Sequence, residues 1–78
     1  MKNLILTIAK SLVDKPEEVE LNEITGDVTT IFELHVAKDD LGKVIGKQGK
    51  TARAIRVLLN ATATKFKKRA VLEIIDEG

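Results

Sequence analysis

The first apolar residues, Leu4, Ile5, Ile8, Ala9, Leu12 and Val13, recur at three- and four-residue intervals among Lys2, Asn3, Thr7, Lys10 and Ser11. That spacing marks one face of a helix and predicts one over residues 2–14. Pro16 ends it, because the residue before a proline avoids helical geometry and proline has no amide hydrogen. Val19 and Leu21, alternating with Glu20 and Asn22, predict a short strand running to a turn at Thr25, Gly26 and Asp27. A second strand follows over 30–37, where Phe32, Leu34 and Val36 face one way and Ile31, Glu33 and His35 the other. This is the period-two pattern of a half-buried antiparallel strand. His35 then falls on the outer face and reads as a surface histidine or as a groove contact.

Lys38, Asp39 and Asp40 place acids at a helix start, favourable against its partial positive charge. Leu41, Val44 and Ile45 give that short helix an apolar side, and Gly46 stops it. After the tetrad Gly46, Lys47, Gln48 and Gly49 comes the longest periodic stretch, with Ala52, Ile55, Leu59, Thr62 and Phe66 on one face of a helix over 50–66. Projected at about 100° per residue, Arg53, Arg56, Asn60 and Lys67 cluster on a second face, and Ala54, Val57 and Ala61 on a third. Residues 70–75, Ala-Val-Leu-Glu-Ile-Ile, predict a last strand before the polar Asp76, Glu77 and Gly78. The order α-β-β-α-α-β makes this an α+β chain, with no internal repeat, linker or low-complexity tract.

Composition narrows the chemistry. Seventy-eight residues suit one domain, expected to span 1–78. With no cysteine and a single histidine, a closed zinc site, a Cys-His nucleophile pair and an iron-sulfur cluster are all excluded. No catalytic residues, metal site or cofactor are expected. No apolar run approaches the length of a membrane span and no signal-peptide pattern opens the chain, so a cytoplasmic location without membrane attachment is expected. With only Phe32 and Phe66 as aromatic residues, an aromatic platform for stacked bases is not expected either.

The net charge of +1 says little, but its distribution is uneven. Residues 43–69 hold nine basic side chains (Lys43, Lys47, Lys50, Arg53, Arg56, Lys65, Lys67, Lys68 and Arg69) and no acid, in a chain with twelve acids. Residues 1–27 carry six acids against three bases. Either two solvated faces of opposite sign or a polyanion-binding face would give this pattern.

The tetrad favours the second. Two glycines three residues apart are ordinary in a turn, but here they separate two helices with Lys43, Lys47 and Lys50 around them. Glycines leave room for a phosphodiester backbone, and the helix that follows begins with free amide hydrogens. Gly49, Lys50 and Thr51 also match the end of a nucleotide-binding P-loop, yet its first glycine would fall on Val44, and the preceding segment is helical by pattern. Asp39 and Asp40 do not make a catalytic pair, because adjacent helix residues do not face each other.

The run Val44-Ile45-Gly46-Lys47-Gln48-Gly49, with Ala52 and Ile55, resembles the signature of the KH domain, whose GxxG loop clamps about four nucleotides of single-stranded RNA. Ala52 departs from it, standing where a larger aliphatic residue is usual. The element order resembles the type II arrangement, a three-stranded sheet packed against three helices. In length and in its central motif the chain is similar to small bacterial single-KH proteins of the KhpA type. That resemblance implies RNA binding with an RNA-chaperone or post-transcriptional role, a homodimer, and pairing with a larger Jag-type KH protein linked to cell elongation and envelope synthesis.

On the KH reading the RNA-binding residues are Lys43, Ile45, Gly46, Lys47, Gln48, Gly49, Lys50, Arg53 and Arg56. The loop amides and Lys43, Lys47 and Lys50 hold phosphates, and Arg53 and Arg56 flank the groove. Gln48 either donates to a phosphate or points to solvent. Val44, Ile45 and Ile55, with part of the 31–36 strand, form an apolar groove floor; the other reading of Val44 and Ile55 is plain core. Lys65, Lys67, Lys68 and Arg69 read as a solvated cluster or a contact for long RNA. Ala54, Val57 and Ala61 form a dimer interface or an alanine-rich solvent face, on a different side of the helix from the basic stripe. The alternative function is a protein-protein dimerisation scaffold with only weak, nonspecific nucleic-acid binding.

Overall fold

The computed structural model, which describes residues 1–75, realises the expected element order with small shifts at the ends. The elements are α1 (Lys2–Leu12), β1 (Glu20–Thr25), β2 (Thr29–His35), α2 (Leu41–Ile45), α3 (Lys50–Lys65) and β3 (Arg69–Ile74). Short 3-10 turns occupy Pro16–Glu18, Lys38–Asp40 and Lys47–Gly49. The first helix stops at Leu12 rather than 14, with Val13 already extended at φ −94° and ψ 158°. The predicted polar end at 76–78 lies outside the described residues.

The sheet has the order β1-β2-β3, with β2 antiparallel to β1 and parallel to β3. A parallel neighbour requires a crossover, and α2 and α3 supply it. Alternation along β2 assigns its faces: Thr30, Phe32 and Leu34 are buried, whereas Ile31, Glu33 and His35 are half-buried on the other side. The buried side meets Ile5 and Ala9 of α1, Ile55, Leu59 and Ala63 of α3, and Ala70 and Leu72 of β3 in one apolar cluster. Each large aliphatic or aromatic side chain so enclosed contributes about 1.5–3 kcal/mol.

The periodicity of α3 needs one correction. Ala63 completes the buried stripe after Ala52, Ile55 and Leu59; Thr62 is half-buried and Phe66 is 67% exposed. The helix ends at Lys65, so projecting a helical face onto Phe66 fails at that point. Lys67 and Lys68 donate their amides to Thr64 and Ala63 carbonyls, and Lys67 takes the left-handed conformation at φ 59°, closing the helix as a Schellman motif. Ala52 is covered despite its small size, at 3% exposure.

Candidate nucleic-acid interface

The turn between α2 and α3 is built from unusual backbone. Gly46 ends α2 at φ 77° and ψ 170°, a region that only glycine occupies without strain. Lys47 stays helical, Gln48 turns left-handed at φ 58° and ψ 24°, and Gly49 follows at φ 74° and ψ 13°. A right-handed residue followed by a left-handed one aims successive N–H groups to one side, which makes a concavity for anions. Gly49 and Lys50 spend their amides inside the turn, on the carbonyls of Gly46 and Lys47. The amides of Lys47 and Gln48 have no backbone acceptor among the described residues.

The two glycines have different duties. A Cβ on Gly46 would fall 2.2 Å from Thr51 Oγ1, so this glycine is needed for space as well as conformation. Nothing lies within 4 Å of a Cβ built on Gly49, so the loop is open on that side. Lys47, Gln48 and Lys50 are all exposed around it.

Asp40 anchors α2 beneath this loop. Its carboxylate, 1% exposed, accepts the Asp14 amide at 3.2 Å through Oδ1 and the Lys15 amide at 3.0 Å through Oδ2. Lys43 Nζ bridges from Asp40 Oδ1, at 3.1 Å, to the Asp14 carboxylate. Burial alone would push the Asp40 carboxyl up, but the amides of Asp14 and Lys15 and the hydrogen bond and charge of Lys43 outweigh it. Its pKa therefore lies below the ordinary carboxylate value. Lys43 is held above its ordinary value, chiefly by its hydrogen bonds to Asp14 and Asp40. Asp39 and Asp40 do stand at the helix start, as expected; Asp40 makes no side-chain cap there and also ties α2 to the segment that follows α1. Lys43, read as a phosphate ligand, takes part in this clasp with its side chain 43% exposed.

Other expected residues separate in a similar way. Val44 and Ile55 are core, at 0% and 3% exposure, whereas Ile45 at 37% remains on the surface. Of the 31–36 strand, Phe32 and Leu34 are core, and β2 lies between the other two strands. The edge strand tied to α3 is β3: Arg56 Nε donates to the Leu72 carbonyl at 3.3 Å. Arg53, one turn before Arg56, borders a shallow groove of about 500 Å³ that Lys50, Ala54, Val57 and Leu58 also line. Lys50 and Arg53 thus border part of the small-apolar stripe, Ala54 and Val57, whereas Arg56 stays on the β3 side. Sequence reasoning passed over Leu58, half exposed there, although its four-residue spacing from Ala54 was a usable signal. Ala61 is exposed further along the helix.

A three-stranded mixed sheet covered by helices in the order α-β-β-α-α-β, with a glycine-bounded loop between the two crossover helices, is a type II KH domain. The chain belongs more particularly to the KhpA/KhpB KH-domain family, which matches residues 2–74. Among its relatives, the RNA-binding protein KhpA of Clostridium acetobutylicum is 59% identical over 75 residues, 96% of this chain and 100% of that one. The RNA-binding protein KhpA of Borreliella burgdorferi is 56% identical over 73 residues, 94% of this chain and 89% of that one. That of Chlamydia trachomatis is 52% identical over 77 residues, 99% of each chain. No solved structure gives a significant match. Among the described residues no helix is long and apolar enough to cross a membrane.

Proposed function

We propose that this protein binds single-stranded RNA, with the Gly46–Gly49 turn as its phosphate contact. The observation that carries the reading is the left-handed turn at Gln48 and Gly49, with the Lys47 and Gln48 amides unspent and open space over Gly49. Relatives named as RNA-binding proteins support the same ligand. Lys47 and Lys50 supply charge, Arg53 flanks the groove, and Ile45 offers an apolar surface to a base. Arg56 takes part from the β3 side, where it already spans the seam to Leu72. Lys43 acts through the Asp40 clasp, by fixing the helix that carries the loop.

A chaperone or post-transcriptional role in the cytoplasm follows as the working biology, with no catalytic step. The exposed apolar groove on α3 favours an additional subunit contact: Val57 is 63% and Leu58 50% exposed beside Ala54. This face suits a homodimer or pairing with a larger Jag-type KH protein, and through that partner a part in cell elongation and envelope synthesis. A protein-protein scaffold without specific RNA contact is the competing reading. The salt dependence of binding to a short single-stranded RNA tests the phosphate clamp. With three or four phosphates neutralised at about −0.7 each, log K against log salt should slope at roughly −2 to −3. A flat response would rule the clamp out.

A further inference from the structure

The far end of α3 carries the only large aromatic surface found exposed among the described residues. Phe66 is 67% exposed, at the residue that caps the helix. Next to it in the chain are Lys65, Lys67, Lys68 and Arg69, all exposed and without an ion-pair partner among the described residues. Phe32, the other phenylalanine, is fully buried, so burying aromatic rings is within this fold's means.

The backbone here is also costlier than it needs to be. Lys67 holds φ 59° at the position after the helix cap where glycine is the usual residue. The Schellman motif commonly adds an apolar contact from the next residue, and Lys68 stands in that place. Glycine at 67 and an apolar residue at 68 would both favour the fold, so local stability does not account for the two lysines. Such an exception at an exposed turn points to a ligand.

We propose that this turn is a second single-stranded RNA contact, in which a base stacks on Phe66 while Lys65, Lys67, Lys68 and Arg69 hold the flanking phosphates. The inference rests on the RNA-binding reading of the Gly46–Gly49 turn and extends it. A flat ring flanked by cations fits a base between phosphates, since every base offers a π-face and stacking needs no sequence match. One ring without a surrounding apolar face is a poor match for a protein core. The two contacts stand at opposite ends of α3, whose 16 residues span about 24 Å. A strand filling the loop groove would therefore not reach Phe66, and a longer one would engage both.

Two strand lengths separate the claims: an unstructured RNA of about four nucleotides, matched to the KH groove, and one several times longer. Wild-type protein should bind the longer strand more tightly. Phe66→Ala should leave short-strand affinity within about twofold and weaken the longer strand by about tenfold, the scale of one lost stack. Lys67→Gly should raise the thermal midpoint, because glycine relieves the left-handed strain. It should also weaken the longer strand and lower its salt slope by about 0.7. A purely structural role for Lys67 could not move stability and binding in opposite directions. Unchanged long-strand affinity in both variants, with short-strand binding intact, would overturn this contact and spare the loop. Loss of short-strand binding in the wild type would strike the loop reading instead. Wild-type binding to phosphatidylglycerol vesicles that Phe66→Ala abolishes, with no gain from RNA length, would assign the turn to a lipid surface and overturn the proposal.

Discussion

Alanine at the two loop glycines should have very different consequences. At Gly49 the left-handed backbone costs a side chain roughly 1–2 kcal/mol. Stiffening the unfolded chain returns about 0.4–1 kcal/mol. Because nothing lies within 4 Å of the new Cβ, no packing strain is added, and Gly49→Ala should lose about 1 kcal/mol. At Gly46 the glycine-only backbone contributes about 1–3 kcal/mol. The Cβ would also sit 2.2 Å from Thr51 Oγ1, 2.6 Å from its Cβ and 2.8 Å from its backbone nitrogen. Overpacking of that kind adds about 1–3 kcal/mol. The sum is serious for a chain this short, whose total stability at about 0.05–0.15 kcal/mol per residue is roughly 4–12 kcal/mol. In thermal melts followed by circular dichroism, Gly49→Ala should fall by about 4–8 °C, and Gly46→Ala by at least twice as much. Thr51→Ala combined with Gly46→Ala should recover only the share due to the hydroxyl, since Thr51 Cβ and nitrogen remain. Equal losses at the two glycines, or a larger one at Gly49, would refute this account of the turn.

The Asp40 clasp should be visible in the pH dependence of stability. Asp40 is held below its ordinary 3.8, so its contribution is complete above that value and disappears as pH falls through the lower folded-state value. Lys43 is held above its ordinary 10.5, so its contribution is complete below that value and disappears as pH rises through the higher one. Asp40→Asn should flatten the acid limb of the thermal midpoint and Lys43→Met the alkaline limb; limbs that match the wild type would mean the clasp is not formed in solution. Val57→Lys, in the exposed groove, should shift the sedimenting mass toward monomer with little change in circular dichroism, because it puts an unpaired charge in a desolvated contact. An unaltered mass would leave the outer face of α3 to solvent.

Elements with a strong local period were legible from the residues alone. Alternation in β2 gave the right faces for Phe32 and Leu34, and helical spacing in α3 gave Ala52, Ile55 and Leu59. What could not be read locally is what depends on distant partners or on single backbone angles. Asp40 receives amides from residues 25 and 26 positions away, and nothing in its neighbourhood signals that. Phe66 fits the α3 stripe by spacing, but Lys67 turns the chain left-handed where a glycine would have announced the helix end. Val44 and Ile55 could be floor or core in the sequence, and only the depth of the α2-α3 packing distinguishes them. The turn at the tetrad was legible, because its two glycines mark the break between the helices.

Exchanging Lys47 and Gln48 together for aspartate probes the loop most directly. Both positions are exposed, where substitutions usually change stability by less than about 0.5 kcal/mol. Gln48 is left-handed, a conformation that aspartate tolerates better than most residues. The glycines, and with them the turn, stay in place. Two carboxylates would then meet the phosphates where a cation and a neutral donor now stand. Titrated against a short single-stranded RNA, the doubly substituted protein should melt like the wild type and show no measurable binding. Wild-type affinity with an unchanged salt slope would contradict the account and move the binding site away from the loop.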